Sequence, residues 1–143
     1  MLLDDLMIAR RALAERGANI VVARGGMILL MGWSRGLRDL AKIALKSPEI
    51  LNSSSVADRI VGKAAAIIFA VNGVEAVYAP ILSRHALDVL KRSGIKFHYE
   101  RLVPYIEAPG GEICPFERLI MDIADRDEAY RRLIERFREL GWG

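Results

Sequence analysis

Several residue types are scarce in this 143-residue sequence, and each scarcity excludes a class of protein. There is one cysteine, so no disulfide can form within the chain, and a cytoplasmic setting is expected. The two histidines, His85 and His98, form no spaced cluster with Cys114, so we predict no metal site. We also predict no cofactor, because Gly25-Gly26 is typical of a turn and Gly110-Gly111 lacks the Lys-Ser/Thr ending of a phosphate-binding loop.

The sequence also lacks a long apolar run and a strong excess of one charge. The most apolar window, 60–82, is interrupted by Lys63 and Pro80 among others, whereas a membrane helix needs about 20 predominantly apolar residues. The N-terminal segment carries Asp4 and Asp5 and is not expected to be a signal peptide. With 21 basic and 18 acidic residues interspersed, we expect neither a membrane nor a nucleic acid as the partner.

What is present predicts a single α/β domain over residues 1–143. A helical apolar stripe covers 2–16, and two apolar runs, 18–23 and 27–33, are joined by Gly25-Gly26. That pair of runs predicts a β-hairpin, because the tight turn requires positive φ at both central positions. Both runs are apolar nearly throughout, so we expect both strands to be covered by helices on both faces.

The rest of the chain alternates between helical and strand patterns. Further helices are predicted for 35–46, 56–71, 84–92, 114–125 and 127–140, and further strands for 74–79 and 95–101. A strand, a helix and a strand in succession favour a right-handed parallel crossover. We therefore predict a three-layer α/β/α sandwich with a mixed sheet, to which residues 126–143 add a C-terminal helix.

Three short motifs resemble an uncharacterised prokaryotic family. The motifs are Val61-Gly62-Lys63-Ala64-Ala65-Ala66, then Tyr99-Glu100 with Leu102-Val103-Pro104-Tyr105-Ile106, and Cys114-Pro115 with Glu117. The family is domain-of-unknown-function family 1893, which is assigned to the cytidine-deaminase-like superfamily. The resemblance covers residues 5–125 and leaves the final helix outside. It implies the cytidine-deaminase fold, whose order of helix, antiparallel hairpin, helix, strand, helix and strand is similar to the order predicted here.

The resemblance does not extend to the catalytic zinc of the deaminases. Zinc deaminases place a His or Cys, with a Glu two residues on, at one helix start and a Cys-x-x-Cys pair at the next. Here the first position holds Lys63-Ala64-Ala65 and the second lies within 79–84, where no cysteine or histidine occurs. Because lysine and aliphatic side chains do not bind zinc, we expect that the protein is not a zinc-dependent deaminase.

Lys63 marks the candidate binding site, because it lies in an apolar stretch and a buried ammonium needs a partner. In the predicted helix 56–71, extended back to its serine caps, Ser55, Arg59 and Lys63 share one face. Glu100 ends a strand at the edge where open α/β sheets bind ligands. We predict that Ser55, Arg59, Lys63 and Glu100 bind a small anionic or nucleotide-like ligand. The alternative is that Lys63 pairs with Glu100 or Glu117 and that Arg59 is solvated.

A metal-free enzyme is the second hypothesis. Its catalytic candidates are Lys63, Cys114, Glu100 and Glu117. Cys114 precedes Pro115 at a predicted helix N-cap, where a thiol can be activated. Glu117 would reach back to the Cys114 N–H as in a capping box. The alternative is that Cys114 is a small buried capping residue.

An assembly or regulatory subunit is the third hypothesis. The last predicted helix has one apolar face, which could pack on its own domain or on a second subunit. That face carries Tyr130, Leu133, Ile134, Phe137 and Leu140. Strand 95–101 would leave a flat sheet edge open to pairing, so we expect a homo-oligomer, most simply a homodimer.

Overall fold

The computed structural model describes residues 4–142, which form a six-stranded mixed sheet with helices packed on it. The strands are β1 (Ile20–Arg24), β2 (Met27–Gly32), β3 (Ser55–Asp58), β4 (Ile60–Val61), β5 (Ala76–Ser83) and β6 (Lys96–Val103). The helices are α1 (Asp5–Arg16), α2 (Arg38–Lys46), α3 (Lys63–Val71), α4 (Arg84–Arg92), α5 (Pro115–Ile120) and α6 (Arg126–Glu139). The predicted α/β sandwich with a mixed sheet is confirmed.

The sheet runs from the hairpin at one edge to β6 at the other. β1 pairs antiparallel with β2 and with β3, and β5 pairs parallel with β3, β4 and β6. β3 and β4 keep the same offset to β5, since Ser55 lies opposite Ala76 and Ile60 opposite Ile81. They are therefore successive parts of one strand, interrupted at Arg59.

The two faces of the sheet carry different numbers of helices. α1 covers one face, where Leu13 packs with Val21, Ala57 and Tyr78. The other face carries the larger core, to which α2, α3, α4, α5 and α6 all contribute buried side chains. The apolar side of α6 packs there, because Leu133 and Phe137 are fully buried. Of the two predicted places for that side, its own domain is the one observed.

The predicted helix over 56–71 is wrong in its first half. Residues 55–61 form β3 and β4, and α3 begins only at Lys63. The segment from Val56 to Val71 is apolar nearly throughout, and such a run does not distinguish a buried strand from a buried helix. The parallel pairing with β5 requires a crossover between the strands, and the nine residues of α3 supply it.

The expectation that helices cover both hairpin strands holds only for β1. Residues 20–23 are buried, whereas β2 is an edge strand on which Met27, Ile28 and Leu29 are exposed. The hairpin turn itself is as predicted, with φ of 64° at Gly25 and 82° at Gly26. An apolar sequence therefore identified the strand but not its place at the edge of the sheet.

Two other helices are shorter than predicted. α2 begins at Arg38 rather than Arg35, because the Ser34 N–H donates to Asp39 Oδ2 instead of Ser34 capping the helix. α5 ends at Ile120 rather than at residue 125. The predicted start of the first helix at residue 2 lies outside the described residues. Within residues 4–142, no helix is long and apolar enough to cross a membrane.

Candidate ligand-binding site

A cleft of about 590 Å³ opens between α4 and the segment that leads from α5 into α6. Its polar lining residues are Lys63, His85, Asp88, Arg92, Ser93, Asp125 and Arg126, and its apolar lining residues are Ile67, Val89 and Ala124. The volume lies within the range of small-molecule sites, about 300–1,000 Å³. None of the ion pairs among residues 4–142 involves any of the basic side chains of the cleft.

Lys63 supports one wall of this cleft. Its Nζ donates to three backbone carbonyls at the end of α5 and just beyond it, those of Ile120 (2.8 Å), Met121 (3.1 Å) and Ile123 (3.0 Å). Burial lowers the pKa of Lys63, while Glu117 and Asp122 act in the opposite direction. Three carbonyl acceptors match the three N–H groups of an ammonium, so these contacts hold the charged form. Lys63 thus holds the α5–α6 connection against the start of α3.

Glu117 lies behind this wall, at the start of α3. It is 2% exposed, and its Oε1 accepts the backbone N–H of Lys63 at 2.7 Å and the Ser83 hydroxyl at 3.3 Å. Ser83 also caps α4, because its Oγ accepts the Ala86 N–H. Burial raises the pKa of Glu117, although its hydrogen-bond donors and the nearby His85 lower it in part. Its other oxygen, Oε2, is buried without a partner among the described residues.

Gly62 makes the contact of Glu117 with α3 possible. A methyl group at this position would overlap Glu117 Oε1 and would crowd the Ile106 side chain. The missing side chain therefore allows the carboxylate to reach the first N–H of the helix. That N–H lies at the positive end of the helix dipole, which favours a negative charge.

The Val61-to-Ala66 and Cys114-to-Glu117 motifs thus meet at one place in the fold, and the comparisons with known proteins agree with the resemblance they carry. The model of the family described as "Domain of unknown function (DUF1893)", with TM1506 as its named member, matches residues 8–137. The chain belongs to the DUF1893 family. The match includes most of α6, so the final helix is part of the family's domain and not outside it as the resemblance suggested.

A solved structure of a DUF1893 protein supports the same fold. The crystal structure of TM1506 from Thermotoga maritima superposes with a TM-score of 0.85 at 24% sequence identity. The alignment covers 96% of this chain and 93% of the Thermotoga chain. No curated protein matches the sequence. These comparisons establish a family and a fold, and they assign no ligand or reaction to the DUF1893 domain.

The four predicted ligand-binding residues are not brought together in this DUF1893 protein. Ser55 is buried at the beginning of β3, far along the strand from α3. The Arg59 guanidinium donates to the Leu13 and Ala18 carbonyls at the end of α1, so it is not solvated either. Glu100 accepts the Tyr78 hydroxyl at 2.9 Å and pairs with Arg10 at 3.3 Å. Arg59 and Glu100 therefore lie on the α1 face, whereas Lys63 lies on the opposite face.

The predicted contacts of Cys114 and Glu117 are only partly observed. Cys114 is the N-cap of α5, as expected, and it is half-buried. The capping box is wrong, because the Cys114 N–H donates to the Ile106 carbonyl while Glu117 turns towards α3. The predicted pairing of Lys63 with Glu117 occurs through the backbone N–H of Lys63, not through its ammonium.

A second buried acid was not singled out from the sequence. Asp58 is 9% exposed at the end of β3, and burial is the main cause that raises its pKa to about 8. The negative charge of Asp39 raises this pKa further, while the N–H groups of Ile60 and Arg59 lower it. An acidic residue inside a buried strand would be the signal, but the sequence pattern predicts a helix for this segment.

The cleft residues on α4 were also missed. His85, Asp88 and Arg92 follow each other at helical spacing, so they share one side of α4. The sequence shows this spacing, but a charged face of a helix is more often solvated than part of a binding site. This side of α4 becomes the wall of a cleft because Asp125 and Arg126 lie across from it, and the sequence does not predict where those two residues lie.

Proposed function

We propose that this DUF1893 protein binds a small anionic ligand, such as a phosphate-bearing or nucleotide-like molecule, in the cleft between α4 and the α5–α6 connection. The observation that carries the proposal is the convergence of Arg92, Arg126 and His85 on one cleft without an ion-pair partner among residues 4–142. Charge-assisted hydrogen bonds to a phosphate or carboxylate would satisfy these donors.

Lys63 has a structural part in this proposal rather than a direct one. Its three N–H groups are all donated to carbonyls, so it has none left for a ligand and no free lone pair for a nucleophilic attack. Its positive charge still contributes to the field of the cleft. The same contacts weigh against the metal-free enzyme in which Lys63 is the nucleophile. Cys114 does not line the cleft.

Thermal unfolding of the full chain with and without anions tests the proposal. Inorganic phosphate and nucleoside monophosphates should raise the Tm, and Arg92→Gln should remove the increase. Arg132→Gln is the matched control, because Arg132 is an exposed arginine that does not line this cleft. No increase in Tm with any anion, or an equal loss in both variants, would count against the cleft as the site.

We also infer that this domain is related to the deaminases but works without their zinc. The support is an antiparallel hairpin at one edge of an otherwise parallel sheet, together with the residues at the two helix starts. Those residues are Lys63-Ala64-Ala65 at α3 and Ser83-Arg84-His85 at α4; His85 is the one zinc-binding type among them, whereas zinc would need three nitrogen, sulfur or carboxylate ligands. Stoichiometric zinc in freshly purified protein, measured by mass spectrometry, would overturn this inference.

A homodimer formed through the β2 edge is the second candidate function. β2 has the sequence Met-Ile-Leu-Leu-Met-Gly, without a charged residue, and Met27 at its start is 67% exposed. Proteins usually protect such an edge with charge, proline or a covering element. Two copies of one edge strand pair antiparallel about a two-fold axis, which closes the assembly.

Sedimentation of the full chain tests the β2 dimer. We expect a dimer that Ile28→Lys dissociates, because a lysine on the edge prevents strand pairing. The sequence pointed to the opposite edge, β6, for the dimer; His98→Lys on β6 is therefore the matched control and should leave a dimer formed through β2 intact. A monomeric wild-type protein would contradict this candidate.

A further inference from the structure

The wall of the cleft formed by α4 carries an acidic side chain between a histidine and an arginine. His85, Asp88 and Arg92 line the cleft and are three and then four residues apart. At 3.6 residues per turn, these three side chains lie one above the other along the helix. The α4 wall therefore presents a carboxylate between two groups that donate hydrogen bonds.

Asp88 and Arg92 do not neutralise each other. An acidic residue four positions before a basic one is the spacing at which helical ion pairs form. The ion pairs among residues 4–142 nevertheless include neither Asp88 nor Arg92. Both charges remain available on the wall of the cleft.

The charged groups facing α4 have partners, although Arg126 keeps further N–H donors. Asp125 Oδ2 accepts the Glu128 N–H and so caps α6, and Arg126 contacts the Ser93 hydroxyl at 3.4 Å. Lys63 is held by its three carbonyls. The polar side chains of the cleft without any hydrogen-bond or ion-pair partner among residues 4–142 are therefore Arg92 and His85 as donors and Asp88 as an acceptor. Arg126 can add a donor to the same acid group.

We propose that the ligand of this cleft is a small zwitterion, whose acid group binds Arg92 and His85 and whose ammonium group binds Asp88. This inference rests on the proposed function, because it requires an anion in the same cleft. One turn of helix rises about 5.4 Å, so the two ligand charges should be about 5 Å apart. That separation corresponds to an acid and an amine joined by a short chain of two or three carbons.

O-phosphoethanolamine and ethyl phosphate form a matched pair of probes, since they differ only by the ammonium group. Titration calorimetry of the full chain should give about fivefold tighter binding of O-phosphoethanolamine, as expected for one partly exposed ion pair. Asp88→Asn should reduce this preference to about one. Arg92→Gln should weaken the binding of both probes, and Asp127→Asn, outside the cleft, should change neither.

The outcomes separate this inference from the proposed function. If both phosphates bind the wild-type protein equally, the zwitterion is wrong while the anion site stands. If Asp88→Asn keeps the preference, the ammonium is bound elsewhere and the inference also fails. If neither probe binds at millimolar concentration, the anion site and the zwitterion fail together.

Discussion

Glu117 and Asp58 are the two buried acidic side chains among residues 4–142. The charges that act on them have opposite signs. Glu117 accepts hydrogen bonds from the Lys63 N–H and the Ser83 hydroxyl, and the nearby His85 and Lys63 favour its charged form. Asp58 also has backbone N–H groups close by, but the charge that acts on it is the negative Asp39. Burial raises the pKa of both carboxyl groups.

The difference shows that a buried acid can serve two purposes in one fold. Glu117 connects α5 to α3 and α4 through hydrogen bonds, and the absence of a side chain at Gly62 leaves room for its carboxylate. The hydrogen-bond partners of the Asp58 carboxyl group are the backbone N–H groups of the two residues that follow it, and the negative charge of Asp39 acts on it. We therefore expect substitutions around Glu117 to act mainly on packing, and substitutions around Asp58 to act mainly on the pH dependence of stability.

The largest effect is expected from Gly62→Ala. The new methyl group would overlap Glu117 Oε1 and crowd Ile106, so α5 would have to move away from α3. Overpacking of this kind together with a lost buried hydrogen bond should lower the free energy of unfolding by about 3–4 kcal/mol. Urea unfolding measures the loss. Gly110→Ala is the matched control, because nothing surrounds Gly110, and it should cost less than about 0.5 kcal/mol. Similar values for both variants would refute the close fit.

Removal of the carboxylate itself should have the next largest effect. Glu117→Ala leaves the Lys63 N–H without an acceptor inside the core, which should cost about 2–3 kcal/mol in the free energy of unfolding. Glu117→Gln keeps an acceptor oxygen and removes the buried charge, so it should cost less than about 1 kcal/mol. Equal losses in the two variants would mean that the hydrogen bond to α3 contributes little.

The sequence predicted the parts of the fold that depend on local signals. Gly25-Gly26 marked the hairpin, and Ser83 marked the start of α4 through its side-chain cap. It failed for residues 55–61, because most of this run is apolar and buried and its charged residues, Asp58 and Arg59, are adjacent and mark no strand period. The pairing of β3 with β1 and β5 makes this segment a strand instead of a helix. That pairing involves residues far away in sequence.

The candidate site was less predictable than the fold for a similar reason. Lys63, Gly62 and Glu117 stood out because charged residues and glycine are unusual in such apolar surroundings. Their contacts could not be inferred, since the Lys63 ammonium reaches carbonyls nearly 60 residues later in the chain. The sequence pattern brings Arg59 beside Lys63 only if the segment between them is helical, and that segment contains strand β4.

The comparison of Asp58 with Glu117 can be tested through the pH dependence of the free energy of unfolding. Its pKa is about 8 in the folded protein, against an ordinary value of 3.8, so the folded state holds a proton over this range that the unfolded state has lost. Stability should therefore fall as pH rises from about 4 to about 8, by about 2 kcal/mol or more. Urea unfolding at pH 5 to 9 should show this decline, and Asp58→Asn should flatten it. Asp127→Asn, on the exposed face of α6, should keep the decline of the wild-type protein.

The smallest effect is expected from Asp39→Asn, which sharpens the comparison by removing the like charge. Asparagine can still accept the Ser34 N–H through its side-chain oxygen, so the local fold should be kept. The pKa of Asp58 should fall below about 8, because the negative charge that raises it is gone. Stability at pH 8 should increase by about 0.5–1 kcal/mol. Carbon NMR of the Asp58 carboxyl group gives the titration midpoint directly, and an unchanged midpoint would show that Asp39 does not contribute to the pKa of Asp58.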